Sequence, residues 1–403
     1  MEHPIVIIGA GISGLTAALH LEEYGHSPLI IESSDSIGGR IKTDQYKGFL
    51  LDHGFQVLLT QYPEVHKYFN LTGLKLQNFD PGALIFHEDT HFSILDPLRN
   101  LSSLIPMLFS KVGNLKDKLL MLKLHKQLKN QPLEKLFHPN DTSTLHFLHN
   151  FGFSPKIIER FFKPFFTGIF LEKNLDTPAS MFRYVFRMFS EGHAALPAQG
   201  MKELPDQLFR KLKRTKFKWN SSFKNYTKDQ IILQNDERIS YARLIIPAHL
   251  NTPYSFNPTL NCYFSSDTPL LEGKKIALVA DEENPINSFC QISNIAPTYA
   301  PEGKHLISVS LKPGQQPHFP EITIKKALQN LLQINTDSLE LLKTFYIPEA
   351  LPVIGDLQYD IEAYKTQIFD YNVFLTGDSL LYPSLDAALK SGRRAAEGVL
   401  ESV

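Results

Sequence analysis

Short apolar runs recur along the chain, separated by polar or glycine-bearing turns. Ile5-Val-Ile-Ile8, Leu29-Ile-Ile31, Ala242-Arg-Leu-Ile-Ile-Pro-Ala248 and Asn372-Val-Phe-Leu-Thr376 show no apolar–polar alternation. That is the pattern of strands buried on both faces of a parallel sheet. Between the first two runs, Ser13 to about Tyr24 predicts a helix, with Leu15, Ala18, Leu19 and Leu21 on its buried face. Helices are also expected over Glu203–Leu212, near Ile322–Leu332 and from Leu385 to Leu400. Phe217–Phe223 and Ile231-Ile-Leu-Gln read as strands of a hairpin or meander, and Ile276–Ala280 and His305–Leu311 as further strands. The class is therefore α/β, with a chain that leaves a parallel sheet and returns to it after an inserted mixed α+β domain.

The first forty residues organise the rest. Gly9-Ala-Gly11-Ile-Ser-Gly14 joins the first strand to the first helix, and the second strand ends in Glu32, 18 residues past Gly14. In such a unit the first glycine permits a tight turn, the second lets backbone approach a pyrophosphate, and the third lets helix and strand pack closely. Ile12 and Ser13 open a helix whose N-terminal N–H groups and dipole favour phosphate. Glu32 can accept hydrogen bonds from ribose hydroxyls, and its charge repels a 2′-phosphate. Strand, glycines, helix, strand and terminal acid together indicate a dinucleotide site. Ser33 then leads into Gly38-Gly39-Arg40, a second glycine pair with a fixed cation that a nicotinamide enzyme would not be expected to carry.

Composition narrows the partners. The 403 residues exceed one ordinary domain, and 43% hydrophobic with 21% charged residues is globular composition. Lys+Arg 41 against Asp+Glu 42 leaves a net charge of −1, so no global field points to nucleic acid. Cys262 and Cys290 cannot form a disulfide framework and lack metal-site spacing. The first strand begins within a few residues of Met1, leaving no room for a signal peptide, and no apolar stretch is long enough for a transmembrane helix. A cytoplasmic location is expected, and the Asn-x-Ser/Thr triplets are then chance matches.

Four stretches admit two readings. Gly54, followed by Phe55, sits between apolar segments and marks either close approach of backbone to a ligand or a plain turn. His87-Glu-Asp-Thr-His91 fits a zinc pattern that requires a helix, yet its flanks read as a hairpin, so no metal is expected. Residues 96–135 carry eight Lys/Arg against three Asp/Glu, with Leu115, Leu119, Leu122 and Leu120, Leu124, Leu128 at helical spacing. The stretch 97–135 is a helix of the inserted domain with solvated lysines, or an amphipathic surface in peripheral contact with the inner face of a membrane. Phe161–Phe166 and Met181–Phe189 are aromatic-dense, with Phe182, Phe186 and Phe189 on one helix face, and form either core or the wall of an apolar pocket.

Near the C-terminus, Gly377-Asp378-Ser379 follows the Asn372–Thr376 run, and Ser384 is a candidate N-cap for the last helix. Small residues Ala387, Ala388, Gly392, Ala395 and Ala396 would let that helix pack tightly on the first βαβ unit.

These pieces resemble the FAD-dependent amine oxidase and phytoene desaturase superfamily, the glutathione-reductase-2-like flavoproteins. The resemblance rests on Gly9–Gly14 with Glu32, on Gly38-Gly39-Arg40, and on Leu375-Thr-Gly-Asp378 with Pro383–Gly392, in an order that spans essentially the full length. The C-terminal pattern looks most like plant-type phytoene and carotene desaturases and squalene-type desaturases. The resemblance implies a Rossmann-like FAD-binding domain in three parts, 1–88, 201–260 and 346–403. It implies a substrate domain in two, 89–200 (mostly helical) and 261–345. It implies non-covalent FAD, since no cysteine stands near Tyr382. It places Arg40 along the pyrophosphate and ribityl region, Asp378 on the ribityl or phosphate end, Phe223 at the adenine, and the helix start at Ser384, Leu385 and Ala388 toward the isoalloxazine. The implied activity is hydride removal from a small, apolar, isoprenoid-like molecule to the flavin, with an acceptor the resemblance does not specify. Oxidation of an amine or porphyrinogen is the alternative, and non-redox prenyl binding on the same fold is a second. No side chain stands out as a catalytic acid or base.

Overall fold

The computed structural model describes residues 3–88, 90–94, 113–252, 254–368 and 372–402. The four unalternating runs become neighbours in one parallel five-stranded sheet. Its order is Lys216–Lys218, Leu29–Ile31, Ile5–Ile8, Arg243–Pro247, Val373–Thr376. Because side chains alternate along each strand, the sheet presents two apolar faces. Ile7, Ile30, Ile245 and Phe374 join the core of the first helix (Ile12–Glu23) and the last (Leu385–Glu401). Val6, Ile8, Ile31, Leu244, Ile246 and Val373 pack with Ile231, Leu233 and Tyr241 on the opposite side.

That opposite layer is a three-stranded antiparallel meander, Phe223–Tyr226, Gln230–Leu233 and Arg238–Ser240. Phe217–Phe223 is thus not one strand. Its start edges the parallel sheet and its end opens the meander. Asn220 at φ 51° turns the chain, while the Asn220 and Ser221 amides donate to the carbonyls of Ser34 and Glu32.

A seven-stranded sheet carries the second half of the molecule. Its order is Glu340–Pro352, Phe256–Ser266, His305–Leu311, Ile286–Gln291, Ile276–Val279, Ala83–His87, Thr90–Ile94. It therefore takes in residues 83–87, 256–260 and 346–352, which the sequence reading put with the nucleotide-binding segments. Those strands find partners far away in the chain: Ala83 pairs with Ile276 and Phe256 with Pro352. His87 and His91 lie on the expected hairpin, where His87 pairs with Thr90 and Phe86 with His91.

Residues 97–112 of the basic stretch fall outside the described residues. The helix Leu115–Lys129 is held at its start by a reciprocal capping box, with the Asp117 amide donating to Asn114 Oδ1 and the Asn114 amide to Asp117 Oδ2, both at 2.8 Å. Of the two leucine sets, Leu124 and Leu128 are buried. Leu115, Leu119 and Leu122 are exposed, alongside Lys116 and Lys123.

Asp52, on the strand Phe49–Asp52, ties three segments together. It accepts from Thr43 Oγ1 at 2.5 Å, from the Met201 amide at 3.0 Å and from Tyr299 Oη at 2.9 Å. Burial outweighs these donors and pushes its carboxyl up to about 6. The folded protein thus holds a proton that the unfolded chain releases near pH ~4. The stability this contributes is full below that pH and is lost as pH rises through about 6. Asp52→Asn is expected to remove this slope. Between acidic and neutral pH, the variant should gain about 3 kcal/mol of stability relative to wild type, read by denaturant melts across pH. Parallel pH profiles for the two proteins would count against it.

Candidate functional site

The glycine turn is fixed by backbone contacts, and at Gly14 they leave no space for a side chain. Gly9 has φ 89°, and its amide donates to the Ile31 carbonyl at 2.8 Å, locking the turn onto the second strand. A Cβ on Gly14 would lie 2.0 Å from the Gly9 carbonyl oxygen. Gly14 sets the separation of strand and helix and does not reach the cavity beside them. The first helix starts at Gly11 without a side-chain cap, so its N-terminal amides are not closed off by its own N-cap residue.

Gly38-Gly39-Arg40 docks against this turn. The Gly38 amide donates to the Ala10 carbonyl at 2.9 Å, and a Cβ on Gly11 would come within 4.0 Å of Gly39 Cα. Gly38 and Gly39 have φ 109° and 59°, conformations that glycine adopts without strain. Glu32 is buried and its carboxylate is fixed from both sides. Oε2 accepts from the Ala10 amide at 2.7 Å, and Oε1 from the Ser34 amide and hydroxyl, both at 2.8 Å, and from Ser33 Oγ at 3.2 Å. A carboxylate offers about four lone-pair positions, so Oε2 keeps capacity for one hydroxyl donor.

The last segment closes the site from the other side. Arg40 Nη2 donates to Asp378 Oδ1 at 2.5 Å, and Nη1 to the Ala350 carbonyl at 3.1 Å. Gly377, at φ 102°, donates its amide to Ser391 Oγ at 3.0 Å. Ser384 caps the last helix, accepting from the Ala387 amide at 3.0 Å, a cap of ~1 kcal/mol. A Cβ on Gly392 would sit 2.3 Å from the Ser13 carbonyl oxygen, the close approach of first and last helices that the small residues predict.

A cavity of about 1010 Å³ runs along all of these elements. Gly9, Gly11, Ile12, Ser13, Glu32, Ser33, Gly38, Gly39, Arg40, Gly54, Phe55, Phe223, Gly377, Asp378, Ser384, Leu385 and Ala388 all line it. Of the predicted contact set only Gly14 lies off its wall. Gly54, at φ 85°, is both the turn and the wall, with a Cβ there reaching within 3.2 Å of Ile347 Cδ1.

The same cavity continues into the aromatic middle of the chain. Phe161, Phe165, Phe166, Phe186 and Phe189 line it, whereas Phe162, Phe170 and Phe182 sit in the core behind. Phe165 meets Phe189 edge-on at 5.2 Å and Phe161 stacks on Phe165 at 5.6 Å. Both readings of the aromatic stretches therefore hold, each for a different set of rings. Lys118 and Met121, from the Leu115–Lys129 helix, also reach this wall.

Several lining residues carry no motif in the sequence. Ser221 and Ser222 adjoin Phe223, and His249 lies near Arg40 and Asp378, with burial and then the Arg40 charge holding its imidazole below the usual range. Asn287, Ser288, Ser310 and Lys312 line the cavity as well. Only the lysine directly after a buried strand, His305–Leu311, could have drawn notice from sequence.

The donor set fits a dinucleotide carrying a planar ring. A side-chain-free cradle and an open helix start face where phosphates would go, and a fixed carboxylate waits for a ribose. Beyond the Arg40–Asp378 pair lies an apolar chamber. The comparisons with known proteins agree. The family of flavin containing amine oxidoreductases matches residues 12–400. An L-amino acid oxidase of Crotalus durissus cumanensis is 37% identical over 75 residues, 19% of this chain and 15% of that protein. A 15-cis-phytoene desaturase of Narcissus pseudonarcissus is 35% identical over 71 residues, 17% of this chain and 12% of that one. The chain thus matches well under a fifth of the length of these curated relatives. The crystal structure of an oxidoreductase from Methanosarcina mazei superposes with a TM-score of 0.71 at 17% identity, covering 99% of this chain and 100% of that one, a likeness of fold. With the family matched over nearly its whole length, this chain belongs to the flavin containing amine oxidoreductases, and its cofactor is FAD.

Proposed function

We propose that the protein is an FAD-dependent oxidoreductase that dehydrogenates a largely apolar, isoprenoid-like substrate. One observation carries the reading: the cavity that starts at the glycine turn is continuous with a chamber walled by Phe161, Phe165, Phe186 and Phe189. Bound FAD supplies a two-electron acceptor for hydride leaving a carbon. The chain's own part is binding and orientation. Glu32 would hold the ribose, and Gly9, Gly11, Ile12 and Ser13 would face the pyrophosphate. Arg40, fixed by Asp378, would place a cation beside the phosphate–ribityl region, and the last helix start at Ser384 and Leu385 would turn its dipole toward the ring. Gly38, Gly39, Gly54, Phe55, Phe223 and Ala388 complete the contact surface. The aromatic wall excludes water and lays an apolar chain along the ring by burial alone.

An amine substrate suits this chamber less well. Lys118 and Lys312 line it and oppose an ammonium ion, while of the carboxylates on the wall Asp378 is engaged by Arg40, Glu349 also interacts with the Arg40 charge, Asp80 accepts from the Lys274 amide, and Glu32 lies at the nucleotide end. The test is anaerobic bleaching of the flavin with a polyene isoprenoid, an amine, an L-amino acid and a porphyrinogen. Bleaching by the isoprenoid and not by the amines is expected. Bleaching by amines alone would sink the reading.

A further inference from the structure

The cavity wall also carries a group of polar residues that neither the dinucleotide cradle nor the aromatic wall includes. The strands Ile286–Gln291 and His305–Leu311 pair antiparallel with Ile286 opposite Leu311 and Ser288 opposite Ser310. Two residues of the first strand are therefore spanned by one step of the second. Asn287 is the extra residue of a β-bulge, a device that re-aims a side chain and is common beside active sites. Asn287, Ser288, Ser310 and Lys312 all lie on the cavity wall.

Their hydrogen bonding is incomplete in a specific way. Asn287 is 1% exposed, and its Nδ2 donates to the Pro164 carbonyl at 3.3 Å. Its Oδ1 is buried and has no hydrogen-bond partner among the described residues. Ser310 Oγ is already committed, donating to Asn261 Oδ1 at 2.8 Å. Lys312 Nζ donates to the Asp281 carbonyl, which leaves two of its three N–H donors, and it forms no ion pair among the described residues. Burial disfavours its charge, as expected for an ammonium on a largely apolar wall. A buried acceptor on one strand and a half-buried donor just past the end of its neighbour thus stand on the cavity wall, neither bonded to the other.

We propose that this polar group of residues binds a hydroxyl group on an otherwise apolar substrate, with Lys312 donating to the hydroxyl oxygen and the hydroxyl hydrogen donated to Asn287 Oδ1. A hydroxyl is the smallest group that accepts and donates at one atom. A carboxylate would satisfy Lys312 but set a second acceptor against Asn287 Oδ1. A pure hydrocarbon would leave both unpaired, which a buried site penalises. The inference deepens the apolar-substrate reading and rests on it.

Calorimetric titration of the FAD-loaded protein with 1-decanol, its methyl ether and decanoate separates these cases. The alcohol should bind roughly tenfold or more tighter than the ether, which accepts but cannot donate, and tighter than decanoate. Asn287→Leu should erase the alcohol-over-ether preference while leaving ether affinity in place. Lys312→Met, at a half-buried position that tolerates an apolar side chain, should weaken the alcohol by roughly tenfold. Equal binding of alcohol and ether, tighter binding of decanoate, or a preference that survives both substitutions would overturn the hydroxyl site and leave the apolar chamber standing. Binding of none of the three would overturn both.

Discussion

Replacing Gly14 by alanine is expected to yield a protein that purifies without flavin. The new Cβ would lie 2.0 Å from the Gly9 carbonyl oxygen and 3.2 Å from its carbon, and both are backbone atoms of the turn itself. No flexible side chain can swing aside. The clash can only be relieved by separating the first helix from the first strand, which widens the cradle formed by Gly9, Gly11 and Gly38. Overpacking of this kind costs about 1–3 kcal/mol, which a chain of this size can absorb while keeping its secondary structure. The cofactor is affected more, because the spacing of helix start and glycine turn is what the pyrophosphate contacts depend on. The ratio of visible flavin absorbance to protein absorbance should fall to a small fraction of wild type, with near-native far-ultraviolet circular dichroism. Gly355→Ala serves as the control, since a Cβ there meets nothing within 4 Å. A Gly14→Ala protein as yellow as the control would show that the turn does not hold the cofactor.

The second large effect is expected at Asp386→Ala. Asp386 is fully buried in the first turn of the last helix. Its Oδ1 accepts from the Glu64 amide at 2.7 Å, and its Oδ2 from Tyr382 Oη at 2.8 Å and Tyr184 Oη at 3.0 Å. Lys390 Nζ lies 4.0 Å from Oδ2, donates to the Tyr359 carbonyl at 2.9 Å and sits 3.2 Å above the Tyr359 ring centre. Burial raises the Asp386 carboxyl and lowers the Lys390 ammonium to about 8, so each charge is sustained largely by the other. Removing the carboxylate leaves three donors unpaired and a buried cation without its counter-charge, a loss of about 3–5 kcal/mol. Because Asp386 directly follows Ser384 and Leu385 on the cavity wall, flavin should also leave more readily. Asp386→Asn, which keeps acceptor and shape, should lose less. Adding Lys390→Met to Asp386→Ala should recover part of the stability by removing the stranded charge. If Asp386→Ala unfolds at the same denaturant concentration as wild type, the network is not what anchors the helix.

Features that depend on neighbours in the chain were legible in the sequence. Gly9, Gly11, Gly14 and Glu32 announced a strand–turn–helix–strand unit because positive φ and the absence of a Cβ are requirements of single positions. The four unalternating runs marked buried parallel strands, and Ser384 marked its helix start, for the same local reason. Phe217–Phe223 misled because one apolar stretch served two sheets, divided by Asn220. The strand Ala83–His87 was legible as half of a hairpin, but the sheet it joins was not. Its partner Ile276–Val279 lies nearly half the chain away, and nothing local records that pairing.

Tertiary structure decided what the site can hold. Only the folded chain brings Arg40 onto Asp378, 338 residues apart in sequence. Only there do the phenylalanines divide between core and wall, since both sets share the same helical spacing and differ solely in what faces them. Asn287 had no signature at all, because a bulge is a mismatch between two strands and belongs to neither sequence alone. Dinucleotide recognition was therefore written in the first forty residues, where backbone geometry dictates chemistry. The shape and polarity of the substrate chamber emerged only when distant segments packed, because burial and unpaired hydrogen-bonding groups are properties of surroundings and not of residues.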